Sequence, residues 1–163
     1  MKWILIGVIV AATTVGEVFQ ALGMRRHGEI RDFRPGDLGR AVGVLSVREV
    51  PAGASVGYNA TWHAKGPSRV ATAAIGYADG LHLTLSNGGR AFFDGKPVPL
   101  VGRVSMDLTT FDVTEAPGVV PGAWLEIIGP AQTPDDLAEA AGTNGYEVLT
   151  SLGHRFRRVY HSA

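Results

Sequence analysis

From Val44 onward the chain is a succession of short apolar runs, each cut off by a glycine, a proline or an Asp-Gly pair. Runs of this length, rich in Val, Ile, Thr and Phe, are long enough for strands and too short for core helices. "VLSVREV" alternates and stops at Pro51, and "RVATAAIGY" is a mostly apolar strand that ends on Tyr77. "AFFDGKPVPLVGRV" carries Asp94-Gly95 between apolar flanks, a strong hairpin signal. "LTTFDVT" and "AWLEIIG" continue the series, separated by "EAPGVVPG". Six or so strands at this spacing predict a mainly β domain, a barrel or a sandwich.

Helix signals come only near the end. Thr133-Pro134-Asp135-Asp136 sets a capping hydroxyl, a proline at the first helical position and acids in the first turn, ahead of "LAEAAG". Asn144 can cap a second short helix through "YEVLTSLG", which stops at Gly153, and "RFRRVYH" then closes as a strand.

With 163 residues and 45% apolar content the chain can bury one core, so one domain plus an appendage is expected. Fifteen basic residues balance fifteen acidic ones, which argues against a nucleic-acid partner. Absence of cysteine removes disulfides, thiolate catalysis and cysteine metal sites together. His27, His63, His82, His154 and His161 are scattered without metal-ligand spacing, and Asp79 and Asp107 read as turn caps, so no metal site is expected.

The appendage is the run from Trp3 to Met24, whose one formal charge is Glu17. As a helix it would be roughly 33 Å long, enough to cross a bilayer. A buried core helix and a signal peptide are the alternatives. Arg25, Arg26 and His27 follow it, so the positive-inside rule puts the rest of the chain in the cytoplasm. "GEVFQALGMR" resembles the first helix of small multidrug-resistance and related drug/metabolite transporters, in which a membrane glutamate binds cation and proton; no second apolar span follows. The chain thus divides into an apolar, transmembrane-type helix over 1–24, a polar linker over 25–43, and a β domain over 44–163.

Within that domain two tyrosines, Tyr58 in "SVGYNATW" and Tyr77 in "IGYADG", each follow a glycine. A glycine there lets backbone turn sharply or approach closely, and so lets a loop deliver a polar side chain to a site.

Taken in order, "GYNATW", "AIGYADG", "DGKPVPLVGRVSMDLTTFDVT", "PGAWLEIIG" and "NGYEVLTSLG" resemble the C-terminal domain of alanine racemase over about Val44 to Tyr160. The resemblance implies a barrel-like β domain with two short helices. It implies a dimeric, pyridoxal-phosphate-dependent isomerase that interconverts L- and D-alanine and supplies D-alanine for peptidoglycan. In that family an N-terminal barrel domain carries the cofactor, and the C-terminal domain of one subunit reaches into the barrel of the other. Tyr58 then matches the catalytic tyrosine, which exchanges the α proton on one face while the cofactor lysine serves the other. Tyr77 and Arg103 match residues of the substrate entrance, and Met106 matches a position whose backbone N–H faces the substrate carboxylate, with its side chain partly in the core. Racemisation needs two proton carriers on opposite faces of a planar carbanion. A phenol, with an ordinary pKa of about 10, needs neighbouring cations or donors to act as a base near neutrality.

Three positions depart from the family pattern. Leu83 stands where an entrance arginine is usual, Asn59 replaces the glycine after the catalytic tyrosine, and His154 or Phe156 occupies the place of a tyrosine offered to the cofactor phosphate. The lysines, Lys2, Lys65 and Lys96, fall in no cofactor-lysine motif, and no barrel fits ahead of the β domain. The chain by itself is therefore expected neither to bind pyridoxal phosphate nor to racemise alanine. Three readings stand: a racemase domain that acts with a barrel on another chain, a non-catalytic membrane-tethered β module, or a chimeric or truncated reading frame.

Overall fold

A computed structural model describes residues 40–153 together with Arg155. The apolar segment 3–24, its transporter-like stretch, and His154, Phe156 and most of the expected closing strand lie outside the described residues. Among the described residues no helix is long and apolar enough to cross a membrane.

Strand β1 (Arg40–Val50) organises the domain. Its first part, Arg40 to Gly43, pairs antiparallel with β8 (Trp124–Ile128), and its second, from Val44, pairs with β4 (Ser68–Ala73). A register shift between Val44 and Ser46 marks the handover, as a bulge does where a strand bends from one partner to the next. β4 then pairs with β7 (Thr109–Asp112), and β8 with β5 (Arg90–Phe93), which forms a hairpin with β6 (Lys96–Pro99). Asp94 and Gly95 close that hairpin with φ of 49° and 73°, the paired positive values a two-residue turn of matching twist requires.

The sheet order is β6-β5-β8-β1-β4-β7. Its two edges nearly meet: Leu100, just after β6, bridges Phe111 of β7, and the Val101 N–H donates to the Thr110 carbonyl at 2.9 Å. The result is mainly β, a nearly closed barrel-like sheet. A separate hairpin, β2 (Ser55–Val56) with β3 (Trp62–His63), carries Tyr58 between its strands.

Inside the curved sheet Phe111, Leu125, Ile127, Ile75 and Leu85 are buried. Helix α1 (Pro134–Ala141) adds Leu137, Ala138 and Ala141, and α2 (Gly145–Thr150) adds Val148. Val50, Val56, Ala64, Val70 and Val101 form a smaller cluster under the β2–β3 hairpin, with Trp62 against it. That cluster anchors the hairpin, which is otherwise too short to be stable.

Three boundaries differ from the sequence expectation. Arg40 to Gly43, expected in the linker, are already strand, because Ala41 and Val42 pair with Glu126 and Leu125 of β8. The strand through "RVATAAIGY" ends at Ala73, and Tyr77 opens a 3-10 turn, Tyr77–Asp79. The second helix ends at Thr150, with Ser151 as its cap, three residues short of Gly153.

Candidate functional site

The two glycines that precede the tyrosines do the positioning. Gly57 has φ of 81°, and a side chain there would meet Gly102 Cα and the Arg103 nitrogen, each at 3.2 Å. Gly76 is extended, but a Cβ on it would lie 2.2 Å from the Met106 carbonyl oxygen. Both tyrosine turns are thus packed, through a bare glycine, on one loop, Gly102 to Met106. No larger residue permits that approach.

Hydrogen bonds fix the loop from both sides. The N–H groups of Tyr77 and Ala78 donate to the carbonyls of Ser105 (2.9 Å) and Met106 (3.0 Å). Asn87 accepts from the Gly102 N–H on its Oδ1 at 2.7 Å and donates from Nδ2 to Thr61 Oγ1 at 3.2 Å, so it ties the loop to the residue that follows the Tyr58 turn. Ser86 Oγ accepts from the Val104 N–H at 3.1 Å. The loop then closes on itself, the Ser105 N–H donating to the Leu108 carbonyl and the Leu108 N–H to Ser105 Oγ.

The Tyr58 turn is unusual backbone. Asn59 and Ala60 sit at φ of 61° and 48°, in the left-handed region. Asn59 suits the position, since asparagine is the non-glycine side chain that tolerates this region best. Tyr58 is left 70% exposed, and Tyr77 52%.

Tyr58, Tyr77, Arg103 and Met106 come together along one open groove of about 540 Å³. Leu83, Asp107 and Leu108 line it as well. Met106, expected to lie partly in the core, is instead 52% exposed. Among the described residues the Met106 N–H has no acceptor and Arg103 has no carboxylate partner. The groove is therefore lined by two tyrosines, an arginine, an aspartate and an apolar flank, with room for a small molecule.

A charged cluster connects to the groove through Asp107. Asp79, 2% exposed, accepts from the Gly76 N–H at 3.0 Å and so caps the Tyr77 turn, as the sequence suggested. Among the described residues Asp107 caps no backbone N–H. Its carboxylate takes Arg155 Nη1 at 2.6 Å, while the same guanidinium reaches Asp79 through Nε (2.9 Å) and Nη2 (3.2 Å). The hydrogen bond to Asp107, with Asp79 behind it, holds Arg155 above its ordinary pKa. Arg40 donates to the Asp79 carbonyl, and burial pushes its guanidinium down to about 10 against the attraction of the Asp79 carboxylate. Sequence reading did not find Asn87 or the Arg155 bridge. For Asn87 the clue was "SNGG", an asparagine ahead of paired glycines.

Comparison with known proteins identifies the family. A family model described as "Alanine racemase, C-terminal domain" matches residues 41–160. The chain belongs to that family. The alanine racemase of Acidiphilium cryptum is 54% identical over 122 residues, 75% of this chain and 34% of that protein. The alanine racemase of Brucella ovis is 52% identical over 119 residues, 72% of this chain and 30% of the relative. Among solved structures, the alanine racemase from Bartonella henselae "with covalently bound pyridoxal phosphate" is similar with a TM-score of 0.74 and 40% identity, covering 76% of this chain and 34% of that one. The biosynthetic alanine racemase from Pseudomonas aeruginosa is similar at 0.72 and 39%, covering 76% and 35%. This alanine racemase C-terminal domain thus spans about a third of the length of the curated relatives it matches.

Proposed function

We propose that the chain is the C-terminal domain of a pyridoxal-phosphate-dependent alanine racemase and that it works by presenting Tyr58 to a cofactor-bearing barrel on a partner. The observation that carries this reading is the convergence of Tyr58, Tyr77, Arg103 and Met106 on one groove left open to solvent. A side chain that is to reach into another subunit must be exposed, and Tyr58 is. In this reading Tyr58 Oη gives and takes the α proton on one face of the substrate. Tyr77 and Arg103 shape the entrance, and the Met106 N–H donates to the substrate carboxylate. Supply of D-alanine for peptidoglycan follows from that activity.

The described residues do not fit pyridoxal phosphate. Their lysines are Lys65 and Lys96, and neither lines the groove. When bound, the cofactor supplies an electron sink for the α carbanion. In this reading that sink and its lysine come from the barrel.

For residues 3–24, which lie outside the described residues, apolar length is the support for a membrane tether, and the stretch from Gly16 to Arg25 with Glu17 is the support for the transporter likeness. Sedimentation of the chain with vesicles, against a variant deleted for residues 1–24, tests the tether. Co-sedimentation of both forms alike, or of neither, rejects it.

The decisive experiment is an alanine racemase assay on the full chain with pyridoxal phosphate, alone and mixed with a racemase barrel lacking its own β domain. Activity in the mixture alone, lost in Tyr58→Phe, is the expected result. Unchanged activity of Tyr58→Phe in the mixture removes Tyr58 from the reaction, and no activity in the mixture with a folded chain removes the proposal.

A further inference from the structure

The groove holds a contradiction that the family reading leaves open. Asp107 lines it next to Met106, so a full negative charge shares the groove with the N–H that is to receive a carboxylate. Like charges at such a distance repel, and the repulsion grows where protein displaces water. Arg155 resolves it. The guanidinium is anchored on the buried Asp79 by two bonds and keeps its remaining arm for Asp107. Asp79 is itself fixed, by the Gly76 N–H and by its salt bridge, so the fork cannot swing to follow Asp107 elsewhere.

We propose that Arg155 is a positioning residue that neutralises Asp107 and holds its carboxylate aside, keeping the Arg103–Met106 side of the groove receptive to a small carboxylate. Arg155 touches no substrate in this scheme. It acts through Asp107, and the role has a signature that a purely structural clasp lacks. If Arg155 merely held two turns together, removing Asp107 as well would break the clasp in the same way and repair nothing. If Arg155 cancels a charge, Asp107→Asn should rescue its loss.

The inference deepens the racemase-domain reading and rests on it for the use of the groove, but its test reads binding directly. The isotope-labelled full chain is titrated with sodium acetate against sodium chloride at equal ionic strength, following the Met106 and Asp107 amide resonances. The wild-type chain should show a saturable shift specific to acetate. Arg155→Gln should raise the acetate Kd about fivefold, the weight of one uncompensated charge at groove distance. The double variant Arg155→Gln/Asp107→Asn should return to within about twofold of wild type. Arg155→Lys, which keeps a cation beside Asp107 but cannot fork across both carboxylates, should also bind nearly as wild type, and it serves where Arg155→Gln lowers stability.

No saturable shift in the wild type, no weakening in Arg155→Gln, or a double variant as weak as the single one would each overturn the proposal. In the mixture with a barrel the same substitution should raise KM for alanine and leave kcat in place, with Asp107→Asn again restoring KM. A mixture without activity would end the racemase reading and leave the acetate result standing.

Discussion

Gly76 shows how one missing side chain decides where a functional group goes. Its Cβ position is filled by the backbone of Ser105 and Met106, which cannot move aside as the end of a side chain could. Gly76→Ala is therefore expected to destabilise by roughly 1–3 kcal/mol and to displace Tyr77 from the groove, measurable by urea unfolding and by the Tyr77 resonances. Tyr58→Phe should behave oppositely. The ring is exposed and its hydroxyl makes no bond among the described residues, so unfolding should shift by no more than about 0.5 kcal/mol while proton exchange in the mixed assay is lost. Both glycine–tyrosine pairs were legible in the sequence, because a glycine ahead of a polar aromatic is a local signal. Asn87 and the Asp107–Arg155 pair were not. Their partners stand 15 to 48 residues away along the chain, and nothing local marks a side chain that will cross that distance.

At the scale of elements, legibility followed the same division. The Asp94-Gly95 hairpin and the Thr133 and Asn144 caps could be read because turns and caps are built within four residues. The start of β1 could not, since Arg40 belongs to the strand only through β8. The α1 cap lends itself to measurement. Thr133 Oγ1 accepts from the Asp136 N–H at 3.2 Å, and the Asp136 carboxylate accepts the Thr133 N–H at 2.8 Å. Thr133→Ala should lower Tm by about 3–6 °C. Hydrogen bonds from the Thr133 hydroxyl and then its N–H hold Asp136 below its ordinary value of 3.8. A depressed carboxylate stabilises the fold above its unfolded value and loses that contribution as pH falls through the folded one. The Tm gap between wild type and Thr133→Ala should therefore be full at neutral pH and narrow as pH falls below about 4, to the share that the pH-independent cap on the Asp136 N–H contributes.

For the whole molecule, the proposed function makes the groove one wall of a site. Its phenols, guanidinium and apolar flank lie on the surface of a domain whose core is already complete behind them, from Val42 to Val148. Phe111, buried where the two sheet edges meet, is the residue on which that closure depends. Phe111→Ala should cost roughly 3–5 kcal/mol in urea unfolding and loosen the Leu100 bridge, visible as faster amide exchange at Val101. The family's fold was readable from motif order alone, whereas the near-closure of the sheet rests on pairing between its ends that no single stretch announces.

The bulge in β1 carries a temporal consequence. The later half of the strand can find β4 as soon as residue 73 has left the ribosome, but Arg40 to Gly43 wait for β8, more than eighty residues downstream. Until residue 128 emerges, half of the central strand is an open edge with unpaired amides, available to any other nascent chain. Synthesis that pauses between β7 and β8 should thus be the moment at which this domain is most prone to mispair, because closure of the barrel waits for β8.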